Sequence, residues 1–173
     1  VKPKDFEKGL TADRLREVVT YHPEIGNFTW NIRQKKIGGY FEIGDKAGFR
    51  ECSGYWIIGI DRQQYKAHRL AWLWMTGKWP KEQIDHINLD NQDNRWNNLR
   101  EASHRENCTN KHVRSDNILG VKGVWLRRNG KYEALITRDQ KRYHLGQFET
   151  VEQAKDAYDM ASSRLHGEFS RTE

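Results

Sequence analysis

The sequence predicts an α+β fold made of small antiparallel sheets, each closed by a short helix. Three features carry this expectation: short β-type runs split by turn residues, two Ser/Thr-x-x-Glu/Gln capping signals that open helices, and no apolar run longer than about six residues. At 173 residues the chain has room for two or three small modules and is too short for a large enzyme with nested cores.

Taken in order, Thr11 is placed to cap a helix whose apolar positions Leu15, Val18 and Val19 fall on one face, ending before Pro23. Gly26-Asn27 turns the chain into Phe28-Thr29-Trp30, and a loose glycine-rich β region runs from Gly38 to Gly54. Tyr55 to Ile60 and Gln64 to His68 flank Asp61-Arg62-Gln63 as a hairpin, which leads into a helix from Arg69 to Met75 stopped by Gly77 and Pro80. Ile84-Asp85-His86 and Leu99 to Ala102 read as paired strands around the polar loop Asn88 to Asn98. Ser103 to Glu106 is a capping box, opening a helix from His104 to about Lys111. After a polar linker, three β-type runs, Lys122 to Arg128, Lys131 to Arg138 and Lys141 to Phe148, are divided by Asn129-Gly130 and Asp139-Gln140. Thr150 with Gln153 opens a last helix carrying Val151, Ala154, Ala157, Tyr158, Ala161 and Leu165, closed near Gly167.

Composition narrows the function classes. Lys and Arg number 30 against 24 Asp and Glu, for a net charge of +6, which points to a polyanionic partner. Apolar residues make up 36%, enough for modest cores, and aromatic residues 12%, enough to anchor several of them. Neither a membrane span nor the apolar core of a signal peptide is expected, so the protein reads as soluble and cytoplasmic. Cys52 and Cys108 form no Cys-x-x-Cys pair, which argues against a zinc ribbon or redox dithiol.

The constellation that carries chemistry is Asp85-His86, with Asn98 and Asn107 following on a strand end and a helix. Asp85 and the Asn107 carbonyl are hard oxygen donors suited to Mg²⁺, an ion that keeps waters and takes its remaining ligands from a phosphate. Neutral His86 can deprotonate an attacking water, and Asn98 is placed to fix its tautomer through a side-chain hydrogen bond. His68 reads equally as a structural histidine or a phosphate contact, and Arg69 leans toward phosphate. The acidic and amide residues Asn88 to Asn94 lack the glycine and closing glutamate of a calcium loop and are read as turn formers.

Tyr65-Lys66-Ala67-His68-Arg69-Leu70-Ala71, the run Ile84 to Arg100, and Glu106-Asn107 together resemble the HNH endonucleases of the ββα-metal fold, in their phage homing branch, over roughly residues 55 to 110. The resemblance implies a metal ligand at Asp85, a general base at His86, a supporting role for Asn98 and a second metal ligand at Asn107. Asn rather than His at the last position favours Mg²⁺ or Mn²⁺ over a tightly held transition metal.

The C-terminal part divides by charge. Arg114 to Phe148 carries +5 and Glu149 to Glu173 carries −3, so the sheet is basic and its helix acidic. A basic sheet can lie in the major groove of DNA, with arginines reading guanine and lysines gripping phosphate. Gly120 to Trp125, Gly130 to Ala134, Leu145 to Phe148 and Ala154 to Ala161 resemble the APETALA2/ERF DNA-binding domain. By position, that family's contacts fall on Lys122, Trp125, Arg127, Lys131, Thr137, Arg142 and His144. Trp125 and Thr137 stand where the plant pattern has arginine and His144 where it has tryptophan, so the target sequence does not transfer.

The expected organisation is an N-terminal helix and β-rich segment (1–54), an HNH nuclease domain (55–111), a linker (112–117) and an APETALA2/ERF-like domain (118–173). Its expected work is site-directed, homing-type hydrolysis of double-stranded DNA with one divalent ion, as a monomer that nicks or a pair that cuts both strands, in a phage-infected bacterial cell. The competing class is a non-catalytic DNA-binding regulator; an RNA-binding role rests on charge alone.

Overall fold

A computed structural model of the chain describes residues 9–36, 38–109, 113, 117–138 and 141–170. The chain divides into two units, one ending at Ser103 and the other beginning at His104. Among the described residues, four α-helices and several small antiparallel sheets are distributed between them.

In the first unit α1 spans Ala12–Val18, and Thr11 Oγ1 accepts the Arg14 amide at 3.2 Å as its cap. The helix is shorter than the spacing predicts, because Val19–His22 continues as strand β1 and pairs with β2, Asn27–Trp30. Val18 and Val19 are both fully buried, which helix and strand achieve equally well. The β-branched run Val18-Val19-Thr20 tips the choice toward a strand. Strand β3 (Gln34–Lys36) precedes the glycine-rich stretch and pairs with β4 (Gly39–Phe41) inside it, and the same stretch holds the short β5 (Phe49–Arg50).

Strand β6 (Trp56–Ile60) and β7 (Gln63–Lys66) form the expected hairpin. Asp61 and Arg62 both take positive φ at its two-residue turn, as the strand twist requires. Arg14 grips Asp61 through Nε at 3.0 Å and Nη2 at 2.9 Å, tying α1 to that turn. Helix α2 (Ala67–Thr76) starts two residues earlier than predicted and ends at Gly77 in the left-handed conformation. Strands β8 (Gln83–His86) and β9 (Leu99–Ala102) pair with His86 opposite Leu99 and Asp85 opposite Arg100. One apolar core joins all of this: Leu15, Val18, Tyr21 and Phe28 pack in the same cluster as Ile58, Leu70, Leu73, Ile84 and Leu99. The N-terminal segment is thus part of the core that carries β8.

In the second unit α3 spans His104–Thr109. Residues 112 and 114–116 of the expected linker lie outside the described residues. Strands β10 (Val124–Leu126), β11 (Tyr132–Arg138) and β12 (Lys141–Phe148) form a sheet in that order, backed by α4 (Val151–His166). Thr150 Oγ1 caps α4 by accepting the Gln153 amide at 3.3 Å. Gly123 has φ +71°, and a Cβ there would lie 2.1 Å from the Tyr158 ring, so only glycine lets this turn close against the helix. No helix among the described residues is long and apolar enough to cross a membrane.

Candidate active site and nucleic-acid interface

Strand β8 delivers two adjacent polar side chains into the first unit, and both are almost fully covered: Asp85 is 3% exposed and His86 4%. Asp85 faces its cross-strand partner Arg100, whose Nε and Nη2 donate to Asp85 Oδ2 at 3.0 and 2.9 Å. A carboxylate this deep requires such compensation, since burying an unpaired charge costs several kcal/mol.

The His86 ring is held by Asn94, with Nε2 3.0 Å from Asn94 Oδ1. The Asn94 amide nitrogen donates to the Gln92 carbonyl at 3.4 Å, which orients the carboxamide with its oxygen toward the ring. Nε2 therefore carries the proton as donor, and the basic lone pair of the neutral ring is on Nδ1. Burial lowers the pKa of His86, opposed by the Asn94 hydrogen bond and the charges of Asp85, Asp90 and Asp93. His68 meets His86 edge-on at a centroid distance of 5.0 Å, and its pKa is driven well below the usual histidine value by burial, then by His86, Lys66 and Arg69. Both rings are neutral at pH 7. Half-buried Tyr55 borders them, 5.3 Å from His68 and 6.4 Å from His86, with Lys66 Nζ 3.7 Å over its face.

The Asn98 side chain, expected to fix the His86 tautomer, bonds to the loop between β8 and β9. Its Oδ1 accepts the Asn88 amide at 3.0 Å, and its Nδ2 donates to Asn88 Oδ1 at 2.9 Å and to the Asp93 carbonyl at 2.7 Å. These bonds cinch the neck of the loop between β8 and β9, the loop that carries Asn94. The loop is further fixed by Arg95, whose Nε donates to Asp93 Oδ1 at 2.7 Å. His68 is 5% exposed between Tyr55 and His86, and Arg69 Nη1 donates to the Glu82 carbonyl at 3.2 Å. Asn107 is half-buried on α3, in the second unit.

Asn94 is the residue that sequence reasoning missed, because it stands among turn-forming neighbours of the same type. Its position depends on the N-terminal hairpin. Tyr21 Oη donates to the Asn94 carbonyl at 2.6 Å, and the Trp96 amide donates to the Pro23 carbonyl at 3.0 Å. Gly26, at φ +71°, lies so close that a Cβ would sit 2.5 Å from the Arg95 nitrogen and 2.6 Å from the Asn94 carbonyl carbon. The one sequence signal was Gly26 itself, a turn glycine whose close approach to another backbone is invisible until the chain folds.

Among the described residues, no group of three or more His, Cys, Asp or Glu gathers to hold a metal ion. One buried carboxylate beside an imidazole suits a hard divalent ion that draws most of its ligands from water and substrate oxygens.

In the second unit, Ala134 and Ile136 on β11 are buried, and α4 packs on this sheet, so alternation puts Glu133, Leu135 and Thr137 on the opposite, open face. Register places Trp125 and Gln147 beside Glu133, His144 beside Leu135, and Arg142 beside Thr137. A bulge on β12 leaves Leu145 without a direct partner between Gly146 and His144, which keeps His144 on the open face. Trp125, Thr137, Arg142 and His144 thus share one surface, and Arg127 reaches it by its ion pair with Glu133. Lys131 lies at the rim, paired with Glu149 at 2.6 Å, and Lys122 is half-buried in the turn before β10.

Residues 65–108 match the HNH endonuclease family, a span containing His68, Asp85, His86, Asn94, Asn98 and Asn107. An uncharacterized HNH endonuclease, L560, of Acanthamoeba polyphaga mimivirus is 30% identical over 170 residues, covering 97% of this chain and 88% of that protein. Protein 3.8 of Escherichia phage T7 is 30% identical over 115 residues, covering 64% of this chain and 94% of that protein. No solved structure matches. With a relative of that identity aligned along nearly its whole length, the chain belongs to the HNH endonuclease family.

Proposed function

We propose that the protein is a site-directed, homing-type DNA endonuclease that hydrolyses phosphodiester bonds with His86 as general base. The observation that carries this reading is the buried Asp85-His86 pair on β8, whose imidazole is locked by Asn94 in the tautomer that leaves Nδ1 basic. Nδ1 takes the proton of a water as its oxygen bonds to phosphorus; the bond from phosphorus to the 3′ oxygen breaks, and that oxygen takes a proton from solvent. The ends formed are a 5′-phosphate and a 3′-hydroxyl. Lowered proton affinity keeps the ring ready as a base at neutral pH. Asn94 keeps the ring from turning over, and Arg100 holds the Asp85 carboxylate in place.

Asp85 would hold one hard divalent ion, Mg²⁺ with Mn²⁺ as the alternative, in keeping with its oxygen donors. When bound, that ion supplies positive charge for the phosphate and the leaving 3′ oxygen. The basic face of β10 to β12 would select the site as an APETALA2/ERF-like DNA-binding sheet, with Arg127, Arg142, Trp125, Thr137 and His144 turned toward the major groove and Lys122 and Lys131 toward phosphate. Its support is their common face and the basic charge of the sheet against the acidic helix. With one catalytic unit per chain, a monomer nicks, and cutting both strands requires two chains. The viral and phage relatives support a role in an infected host cell.

Supercoiled plasmid incubated with the protein and Mg²⁺ tests the reading. Nicking that disappears in His86→Ala while DNA binding remains is the expected result. Binding without any metal-dependent nicking of DNA carrying the chain's own target would leave a regulator instead.

A further inference from the structure

A carboxylate is buried in the middle of the basic sheet. Glu133 is 6% exposed, although it points to the open face of β11. It is bracketed by two half-exposed cationic or ionisable side chains: Arg127 Nη2 pairs with Glu133 Oε2, and His144 Nε2 lies 3.0 Å from Glu133 Oε1. For a surface whose task is to attract phosphate, an acid at its centre is the wrong charge, and for a sheet whose task is only to be stable, an apolar residue would avoid the desolvation of a buried ion.

We propose that Glu133 is a positioning residue for base recognition: it holds Arg127 and His144 as a fixed pair on the open face, so that the arginine fork reads a guanine edge rather than gripping phosphates. The proposal rests on the reading that this sheet lies on DNA. Arginine has five N–H donors in a planar fork, and guanine offers O6 and N7 to such a fork in the major groove. An untethered arginine on a flexible stem finds the nearest phosphate equally well, which adds affinity without sequence information. Anchoring one terminal nitrogen to a buried carboxylate removes that freedom, and its negative charge lowers the pull on the backbone. Both effects raise the ratio of specific to non-specific binding. His144 accompanies Arg127, because its Nε2–H faces the second carboxylate oxygen and leaves Nδ1 as an acceptor on the same face.

The test uses the full chain silenced by His86→Ala, a randomised duplex library for selection, and competition between the selected duplex and random duplex. Glu133→Gln keeps shape and hydrogen-bonding capacity but removes the charge; Arg127→Lys keeps the charge but removes the fork. The expected result is that both variants lose discrimination at the same guanine position by about tenfold or more. Random-duplex binding stays the same or tightens in Glu133→Gln, with a salt slope steeper by up to about one. Lys131→Ala weakens all duplexes alike and keeps the selected motif. An unchanged motif in Glu133→Gln overturns the proposal. So does a parallel loss of specific and random binding together with a fall in Tm, the signature of a carboxylate that only holds the sheet. If Arg142→Ala leaves duplex binding untouched, or RNA displaces the duplex more readily than DNA does, the sheet is not a DNA surface and the underlying reading falls with the proposal.

Discussion

Replacing Asn94 by alanine removes the acceptor that holds His86 Nε2–H, together with the 3.4 Å bond from Asn94 Nδ2 to the Gln92 carbonyl, and leaves the backbone bonds of the loop in place. The Asn94 carboxamide oxygen is turned to the His86 ring in a residue only 2% exposed, and the Tyr21 contact goes to its backbone carbonyl and survives the change. Orphaning a buried N–H costs about 1–3 kcal/mol. If that energy is what keeps Nδ1 facing the water, the rate of the chemical step falls about fivefold to a hundredfold. Single-turnover nicking of a labelled duplex at saturating Mg²⁺ measures this directly, with duplex affinity measured in parallel on the same protein. The expected result is a loss confined to the chemical step, affinity being unchanged. Asn94→Asp supplies an acceptor again but stabilises the protonated ring, so its activity recovers at high pH and its acid limb moves to higher pH than in the parent. The reasoning is refuted if Asn94→Ala stays within twofold of the parent while His86→Ala is dead, or if it loses affinity and rate together.

The same geometry has consequences for stability. Gly26→Ala places a Cβ against the Asn94–Arg95 backbone at positive φ, and should destabilise the first unit by at least about 2 kcal/mol in urea unfolding while lowering activity; a silent substitution would show that the hairpin does not clamp the loop. Arg100→Leu strands the buried Asp85 charge and should destabilise by about 3–5 kcal/mol, more than Asp85→Asn combined with Arg100→Leu, as a double-mutant cycle reads out. His68 binds protons less readily in the folded chain than at the usual 6.5. Above that pH it has no effect, and below it the unfolded chain takes up a proton that the native chain refuses. Stability should therefore fall by up to about 1.4 kcal/mol per pH unit from this residue as pH drops below about 6.5, and His68→Gln should flatten that slope in urea midpoints taken from pH 8 to 5.

Much of the local architecture could be read directly because it depends on neighbours in sequence. Thr11 and Thr150 cap the helices they were expected to open, the turn expected at Asp61-Arg62-Gln63 closes one residue shorter at Asp61-Arg62, and Asp85-His86 lies on a strand opposite Leu99-Arg100. Backbone sterics, hydrogen-bond caps and period-two alternation act within a few residues, so the chain alone states them. The strand at Val19–His22 was less legible. A fully buried apolar pair fits a helix or a strand, and only pairing with Asn27–Trp30 decided it.

The sequence by itself determined which residue types this protein carries and in what order: an aspartate, a histidine and asparagines in the order of the HNH family, and a basic sheet opposed to an acidic helix. Only the tertiary structure decided which amide holds the His86 ring and which charge sits inside the basic face. Asn94 meets His86 because Tyr21, Pro23 and Gly26, some seventy residues away, press its loop into place. Glu133 meets Arg127 and His144 because a bulge sets the register of β12. Both outcomes depend on packing between segments distant in the chain, where residue type states what a side chain can do and the fold alone states what it touches.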